Sequence, residues 1–418
     1  MHVLFLASVM PNLGHSQAAE TVCAALMCAM RERGHDVSFA TVASGREPHA
    51  DSMERFAEVG IRYVGDFTHD VQDDPASDWP RLRRWASYVA EFARIDAAPD
   101  YPRFRDPERT ARALTAGSPN VALLFWDSWF EHLLPAFHAL PVAAYLGRPR
   151  TEASLVRLAD APSTPNNMLM RHRLLGRRRR HLRRMRQLKA VANICAVDAA
   201  WYRAHDVPCR YVPNCWPDAF GPNWKDRRRR AEGERKQGDI LGNVGHLGAT
   251  GNDYGLAWMG REVVPSLDRR MVQGDWRINV CGPGTLTARA SEALRHPNVA
   301  VRGFVPDIDE EMLSNRLFLI CNNAGPYTGG YTRVCYAMAS GAPVVAHRAL
   351  AESMPEVGQG ENACLGVTGD ELAAHIAGLL HDTVVRERVG DAARATYERH
   401  YAPSAVAASL EAMLEAAA

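Results

Sequence analysis

The segment Gly325–His347 (GPYTGGYTRVCYAMASGAPVVAH) combines glycines, a helix start and an arginine, residue types that together hold an anion. Gly329 and Gly330 allow a ligand to approach the backbone closely. Thr332 is predicted to be the N-cap of a helix whose free N–H groups and dipole favour a negative group. Arg333, in the first turn, adds a full positive charge. The segment therefore predicts a diphosphate site, with a Gly-rich connection and a structural cap as the alternative.

A second candidate site lies near the start of the chain, where the apolar run HVLFLAS is followed by the loop PNLGHSQAA. Gly14 gives access to the backbone of this loop. Histidine as a residue type titrates near neutral pH, so His15 could take the proton of an acceptor hydroxyl. Asp127 ends the apolar strand VALLFWD and could orient His15 or bind that hydroxyl. The alternative is that both side chains only cap helices.

The sequence contains one pattern typical of metal binding, the D-x-D spacing of Asp307 and Asp309. It follows VAVRGFVP and precedes a helix, which predicts a turn and an N-cap, and no metal site. The nine cysteines are scattered and contain no C-x-x-C pair. This pattern predicts reduced thiols in a cytoplasmic protein and neither a zinc site nor a disulfide scaffold.

The elements that position these residues alternate regularly between strands and helices. This alternation predicts an α/β protein with two doubly wound Rossmann-like domains that face each other across a cleft. We expect an N-terminal acceptor-binding domain over 1–220, a basic linker over 221–238 and a second domain over 239–395. The remainder, 396–418, is predicted to be a helix that packs back on the N-terminal domain.

Composition supports a folded chain. Its 418 residues are 47% hydrophobic and 23% charged, close to globular averages. No run approaches the roughly 20 apolar residues needed to cross a bilayer. The N-terminus lacks the basic region of a signal peptide. We therefore expect a cytoplasmic protein.

The formal charge of +1 hides two basic runs. Arg171–Lys189 contains nine arginines, one lysine and no acidic residue, and its leucines at helical spacing predict a basic amphipathic helix. Such a helix fits peripheral contact with an anionic membrane or a phosphorylated acceptor, or a solvated face that pairs with acidic residues elsewhere. Arg171–Lys189 is not interleaved with aromatic residues and contains no known nucleic-acid-binding motif, so no nucleic-acid partner is predicted. The second run, Lys225–Lys236, lies in the predicted linker.

Several motifs, in order, resemble those of the family 4 retaining glycosyltransferases of the GT-B fold. YAMASGAPVV (336–345) resembles their E-A-M-A-x-G-x-P-V-V signature, and YVPNCWPDAF, GNVGHLG and WRINVCGPG resemble their other motifs. The resemblance covers about residues 190–400. It is closest to a subgroup that includes spore-coat-maturation glycosyltransferase-like proteins, whose donor helix carries an arginine that matches Arg333.

The resemblance implies a nucleotide-sugar donor, held mainly in the second domain. The implied contacts are Gly14, Gly245, His246, Gly282, Tyr327, Gly329, Gly330, Tyr331, Thr332, Arg333 and Tyr336. Two features of the family are missing. The positions of its paired glutamates are occupied by Thr328 and Tyr336. Its basic pair falls on His246 and the region 251–253, so Arg333 remains as the cation for the diphosphate.

The resulting prediction is transfer of a sugar from a nucleotide-diphosphate donor to a hydroxyl or amine. The nucleotide is UDP, GDP or dTDP, and the acceptor is a small molecule, a glycan or a lipid-linked group. The resemblance implies retention of the anomeric configuration, and we expect neither a metal nor a separate cofactor. Two alternatives remain: an inactive transferase-like binding subunit, and a nucleotide-sugar epimerase of the same fold.

Overall fold

In the computed structural model the chain forms two compact units, Met1–Val212 with Val406–Ala418, and Pro213–Ala405. The structure describes residues 1–14, 17–43, 49–72, 86, 103–126, 129–234, 239–272, 275–325, 329 and 331–418.

The described strands of the first unit form one large sheet and one small one. They are β1 (His2–Ala7), β2 (Asp36–Thr41), β3 (Ile61–Asp66), β4 (Val71–Gln72), β5 (Arg103–Phe104), β6 (Val121–Phe125), β7 (Val142–Leu146), β8 (Ala190–Asn193) and β9 (Cys209–Tyr211). The large sheet has the order β3-β2-β1-β6-β7-β8-β9 and is parallel throughout, while β4 and β5 pair antiparallel. All side chains of Val3–Ala7 are buried, so both faces of β1 are covered, which explains its unbroken apolar run.

The described helices of the first unit connect these strands. They are α1 (Ala18–Glu32), α2 (Ala50–Glu58), α3 (Pro107–Thr115), α4 (Arg150–Ala159), α5 (Pro165–Met185) and α6 (Ala196–Arg203). Short 3₁₀ segments span Thr68–Asp70 and Phe130–Ala136.

Helix α5 carries most of the long basic run. It begins earlier than the run because the Thr164 side chain caps its N-terminus, accepting a hydrogen bond from the Asn167 N–H at 3.2 Å. Leu174, Leu182 and Met185 are buried on one face. The predicted amphipathic pattern is therefore present, and its apolar side belongs to the core of the first unit.

Part of the positive charge of α5 is paired within the first unit. Arg178 lies 3.3 Å from Glu152, and Arg184 lies 3.0 Å from the buried Glu131. Arg171 and Arg179 are exposed. The helix therefore combines internal ion pairs with an exposed cationic surface.

The described strands of the second unit form a single parallel sheet. They are β10 (Asp239–Asn243), β11 (Arg277–Cys281), β12 (Val299–Gly303), β13 (Leu317–Ile320), β14 (Val344–His347) and β15 (Ala363–Gly366). The order is β12-β11-β10-β13-β14-β15. In both units the chain starts in the middle of the sheet, builds to one side and then crosses to the other. The predicted class, α/β with two doubly wound Rossmann-like sheets, is confirmed.

The described helices of the second unit begin with α7 (Trp224–Glu234). The others are α8 (Thr250–Trp258), α9 (Val264–Arg270), α10 (Ala288–Ala293), α11 (Ile308–Ser314), α12 (Tyr331–Ala339), α13 (Ala349–Ser353), α14 (Gly369–His381), α15 (Thr383–Thr396) and α16 (Pro403–Glu415), of which α16 continues into the first unit. A 3₁₀ turn spans Asn322–Ala324, and π-helical turns span Met259–Val263 and Tyr397–Tyr401.

The boundaries between the units differ from those expected from composition. The second unit starts at Pro213, and the segment predicted as a linker contains helix α7. Arg228 of this helix is buried and donates to the carbonyl groups of Asn315 and Arg316 at 2.6 and 3.0 Å. The charge-rich segment is therefore an integral part of the second unit.

The end of the chain is divided between the units. Val406–Ala418 belongs to the first unit, where Glu411 accepts from His35 at 2.8 Å and also pairs with Arg33. No described helix is long and apolar enough to cross a membrane. All nine cysteines lie in the described chain and are free thiols.

Candidate functional site

In the second unit the order of the strands reverses between β10 and β13. Ligands of doubly wound sheets bind outside the carboxyl ends of the strands at such a point. The segments that follow β10, β11 and β13 contain most of the residues predicted to hold the donor.

Two glycines bring the first two of these segments together. Gly282 has φ +142° and Gly245 has φ +116°, and a Cβ on Gly282 would lie 1.9 Å from the Gly245 carbonyl oxygen. The contact continues where the Leu247 N–H donates to the carbonyl oxygen of Pro283 at 2.9 Å. Gly245 and His246 are exposed, so their backbone is accessible at this edge.

Replacing Gly282 with alanine should lower the free energy of unfolding by about 2 kcal/mol, since the new methyl group overlaps the Gly245 carbonyl and the positive φ is strained. Urea denaturation measures this loss. Gly378→Ala is the control, because nothing lies within 4 Å of the added Cβ. Equal stability of the two variants would contradict the close contact.

Arg333 links helix α12 to the end of β10. Its Nη1 donates to Asn243 Oδ1 at 2.7 Å, while Asn243 Nδ2 donates to the carbonyl oxygens of Cys281 and Gly245 at 3.0 and 3.2 Å. Asn243 is buried and Arg333 is partly exposed. One amide thus fixes the guanidinium and both glycine-containing segments relative to each other.

Three further asparagines support the same edge. Asn252 donates to the carbonyl oxygen of His246 at 2.6 Å and accepts from Asn322 at 3.0 Å. The side chain of Asn323 accepts from the Gly329 N–H at 2.9 Å. Sequence reasoning missed these residues, as it missed Asn243. A usable signal was present, because GNVG and ICNN place asparagine at the carboxyl end of an apolar strand.

A second arginine near this edge was also missed. Arg289 pairs with the buried Asp253, which also accepts from Thr287, and its guanidinium lies 4.2 Å from the ring centroid of Tyr254. Tyr254 also lies close to Gly325, because a Cβ on this glycine would be 3.6 Å from Tyr254 Cβ. The site therefore has a second cation, whose charge is balanced by a carboxylate.

The structure corrects the predicted start of helix α12. The helix begins at Tyr331, so Thr332 is its second residue and not its N-cap. Thr332 is partly exposed and Tyr331 is buried. The sequence alone favoured Thr332 as the N-cap because threonine is a good capping residue. In the structure the helix starts one residue earlier, at Tyr331.

Tyr336 lies one turn after Arg333 on α12. Its ring packs against Trp216 and Phe220, with centroids 5.2 and 5.6 Å away. Its hydroxyl donates to Asp309 Oδ1 in the first turn of α11. Burial, followed by the charge of Asp309, raises the pKa of Tyr336 well above its usual value, so the phenol stays protonated.

The two aspartates of the D-x-D pattern have separate roles. Asp307 is the N-cap of α11 and accepts from the Glu310 N–H at 2.9 Å, which confirms the predicted turn and N-cap. Asp309 bonds Tyr336 instead. In the described part of the chain no cluster of three or more His, Cys, Asp or Glu residues could hold a metal.

Four predicted site residues, His15, Asp127, Tyr327 and Gly330, lie outside the described residues, as does Thr328. In the N-terminal candidate site Gly14 is described. It follows β1, its N–H donates to Asn12 Oδ1 at 2.8 Å, and its carbonyl accepts from Thr21 at 3.3 Å. The structure thus places Gly14 near the end of a strand of the first sheet. The described donor-site residues lie near the carboxyl ends of strands in the second sheet.

The first unit also holds a buried carboxylate at the carboxyl edge of its sheet. Asp198 lies in the first turn of α6, and its Oδ2 atom makes no hydrogen bond with a described residue. Burial raises the pKa of Asp198 to about 6, although the nearby Arg148 opposes the shift. Sequence reasoning did not single out this residue.

Asp198→Asn should stabilise the protein at neutral pH. The folded form binds the proton more tightly than the unfolded chain, so the stability of the wild type falls as pH rises from about 4 to about 6. The variant should gain about 2 kcal/mol over the wild type at pH 7.5 and little at pH 4. Urea denaturation at both pH values measures the difference. Asp206→Asn, at an exposed position, should show no such dependence.

Comparisons with known proteins agree with this architecture. Residues 238–382 match a family model described as "Glycosyl transferases group 1". No curated protein matches the sequence.

Solved structures match the whole chain at low identity. They include HepE from Anabaena in complex with UDP and glucose, with 15% identity, a TM-score of 0.59 and 99% of each chain covered. Sucrose-phosphate synthase from Thermosynechococcus elongatus has 14% identity and a TM-score of 0.62, over 99% of this chain and 98% of its own. A glycosyltransferase from Rickettsia africae has 10% identity and a TM-score of 0.60, with the same coverage. The chain therefore has the GT-B fold of its structural neighbours, and its residues 238–382 are similar to group 1 glycosyl transferases.

Proposed function

We propose that the protein is a glycosyltransferase that moves a sugar from a nucleotide-diphosphate donor to a hydroxyl or amine of an acceptor. The observation that carries the proposal is Arg333, tied by Asn243 to the two glycine segments at the reversal of the second sheet. The match of 238–382 to group 1 glycosyl transferases supports it. HepE from Anabaena, which has a similar fold, has been crystallised with UDP and with UDP-glucose. A uridine nucleotide is therefore the first donor to test.

In this proposal the second unit holds the donor. Arg333 and the N-terminal turn of α12, including Tyr331 and Thr332, face the diphosphate and stabilise the charge that develops as it leaves. The backbone of Gly245, His246 and Gly282 allows the donor to approach closely. Gly329, Gly330, Tyr327 and Tyr336 complete the proposed donor contacts.

The first unit is proposed to hold the acceptor near Gly14, His15 and Asp127. The acceptor oxygen or nitrogen forms a bond to the anomeric carbon, and the bond from that carbon to the diphosphate oxygen breaks. The diphosphate leaves with the electron pair, and His15 takes the acceptor proton, with Asp127 orienting the imidazole. The proposal includes retention of configuration, which requires that the acceptor attack the anomeric carbon from the same face that the diphosphate leaves.

We further propose that no metal ion is needed. Asp307 caps a helix and Asp309 bonds Tyr336, so the carboxylates of the D-x-D pattern already have protein partners. Arg333 and the N-terminus of α12 would supply the positive charge in place of a cation.

The exposed arginines of α5 are proposed to contact anionic lipid when the acceptor is lipid-linked. Arg171 and Arg179 lie on the outer surface of this helix, and the methionine Met168 before them is 65% exposed. Co-sedimentation with phosphatidylglycerol vesicles, compared with phosphatidylcholine vesicles, tests this contact. Equal binding to both would contradict it.

The experiment that tests the function has two stages. Calorimetric titration with UDP, GDP, dTDP, ADP and UDP-glucose identifies the nucleotide, and release of free nucleotide in the presence of candidate acceptors measures transfer. We expect binding of at least one nucleotide and acceptor-dependent release. Binding without release would favour an inactive binding subunit, and conversion of the sugar without release would favour an epimerase. Absence of binding across the panel would contradict the proposal.

A further inference from the structure

Asp198 and Trp126 each place a buried polar atom at the carboxyl edge of the first sheet. Asp198, in the first turn of α6, is 8% exposed, and its Oδ2 atom accepts no hydrogen bond from a described residue. Trp126 directly follows β6, and its buried Nε1 atom donates to no described residue. Because a buried polar group without a hydrogen bond destabilises a fold, both atoms call for a partner.

Short contacts through β7 and β8 connect the two residues. Trp126 lies close to Gly147, because a Cβ on this glycine would be 3.6 Å from Trp126 Cγ. The Gly147 carbonyl accepts from Asn193 Nδ2 at 2.9 Å, and Asn193 Oδ1 accepts from the Cys195 N–H at 2.8 Å. Cys195 Sγ accepts from the Asp198 N–H at 3.5 Å. Trp126 and Asp198 are therefore held at the same edge of one sheet.

The charges around Asp198 determine what it can bind. Burial raises the pKa of Asp198 to about 6, whereas Arg148 and a hydrogen bond with Cys195 favour the ionised form and Glu152 opposes it. Glu152 is itself paired with Arg178 at 3.3 Å. The carboxylate of Asp198 is thus mostly ionised at neutral pH. Its Oδ2 atom is a charged acceptor, which forms the stronger kind of hydrogen bond.

Asp198 and Trp126 together favour a ligand with several hydroxyl groups. Asp198 Oδ2 needs a donor, and Trp126 Nε1 needs an acceptor. A hydroxyl can do both, whereas an ammonium group only donates and an ionised carboxylate only accepts. The strands β6 and β8 are two positions apart in the sheet, or about 10 Å. A sugar ring with a hydrogen bond of about 3 Å at either side can span this distance.

We propose that Asp198 and Trp126 bind a sugar acceptor, with Asp198 Oδ2 accepting from one of its hydroxyls and Trp126 Nε1 donating to another. This inference rests on the proposed function and identifies the acceptor of that function as a carbohydrate. It also accounts for a carboxylate whose replacement by asparagine should stabilise the fold, since binding sites are often less stable than their surroundings allow. The backbone of Trp126, with φ +45°, is strained at the same edge.

The test measures sugar binding to the full chain at two pH values. Methyl glycosides of glucose, galactose, mannose and N-acetylglucosamine are titrated and followed by saturation-transfer NMR. The wild type should bind at least one of them, about 5-fold more weakly at pH 5 than at pH 7.5, because Asp198 is mostly protonated at pH 5. In Asp198→Asn the affinity at pH 7.5 should be about 10-fold lower, since a neutral amide replaces the charged acceptor. The dependence on pH should disappear with it.

Two further variants separate the roles of the two side chains. Trp126→Phe keeps an aromatic ring but removes the N–H, so it should weaken binding about 3-fold and keep the dependence on pH. Asp206→Asn is the matched control, because Asp206 is exposed and should not affect binding. Since Asp198→Asn should be more stable than the wild type, weaker binding by this variant would not result from unfolding.

The outcomes distinguish this inference from the function on which it rests. In the nucleotide-release assay, Asp198→Asn should raise the KM of the acceptor about 10-fold and leave the KM of the donor unchanged. If no sugar binds the wild type, or if Asp198→Asn binds equally well with the same dependence on pH, the inference is overturned. Nucleotide binding and release still decide the proposed function in that case. If sugar binding depends on Asp198 but no nucleotide is bound or released, the sugar site stands and the proposed function fails.

Discussion

Replacing Arg333 with alanine should weaken binding of nucleoside diphosphates by at least about 100-fold. Hydrogen bonds to charged groups contribute about 1.5–3 kcal/mol each, and a guanidinium can make two to a phosphate. Loss of both corresponds to two or more orders of magnitude in the dissociation constant. Titration calorimetry with UDP and GDP measures the change.

Arg333→Lys refines this prediction. Lysine keeps the charge but cannot reproduce the planar fork that bonds Asn243 while facing a ligand, so we expect an intermediate loss of about 10-fold. Arg261→Ala is the matched control, because Arg261 is exposed and lies outside the site in the same unit. It should bind as the wild type does. If Arg333→Ala and Arg261→Ala bind nucleotide equally well, Arg333 does not hold the diphosphate.

Removal of the Arg333 side chain should have a smaller effect on folding. Asn243 is buried and would lose one donor, which costs about 1 kcal/mol. The thermal unfolding curve of Arg333→Ala should therefore remain cooperative. A complete loss of folding would indicate instead that the guanidinium is chiefly a structural link between α12 and β10.

Replacing Arg228 with methionine should lower the unfolding free energy of the second unit by about 3–5 kcal/mol. Its guanidinium is buried and donates to three backbone carbonyls, those of Met312, Asn315 and Arg316, and it pairs with Glu232 at 2.9 Å. Methionine fills a similar volume but leaves these acceptors and the carboxylate without their donor.

The neighbouring Arg229 is a matched control for this prediction. Its side chain is 57% exposed and its ion pair with Glu387 lies at the surface, so Arg229→Met should leave the unfolding free energy of the second unit nearly unchanged. Urea denaturation followed by tryptophan fluorescence compares the two, since Trp224 and Trp276 report on the second unit. Similar losses for both variants would mean that α7 is not anchored by Arg228.

Arg228 also shows why the composition of a segment misled its interpretation. KDRRRRAEGERK has the charge density of a solvated linker, and nothing in its pattern distinguishes the one arginine that becomes buried. The distinction arises because Met312 in α11, together with Asn315 and Arg316 between α11 and β13, presents carbonyl groups to that position. These acceptors lie about 85 residues away along the chain, so the sequence around Arg228 does not predict them.

Periodicity and strand-end glycines could be read directly from the sequence. Unbroken apolar runs such as Val3–Ala7 report burial on both faces of a strand, and their alternation with helical patterns predicts a parallel sheet. Gly282 and Arg333 could also be identified as candidate site residues from the sequence, because backbone access and positive charge are properties of single residues. The class of fold was therefore determined by the sequence alone, and so was the choice of the edge that we propose as the ligand site.

The partners of these residues were decided by the tertiary structure. That Arg333 bonds Asn243, and that Tyr336 bonds Asp309, depends on β10, α11 and α12 meeting at one edge of the second sheet. Such contacts join residues 90 and 27 positions apart. Local propensity and periodicity describe neighbours within a few residues, whereas a hydrogen bond between side chains depends on positions that only the packed sheet and helices define.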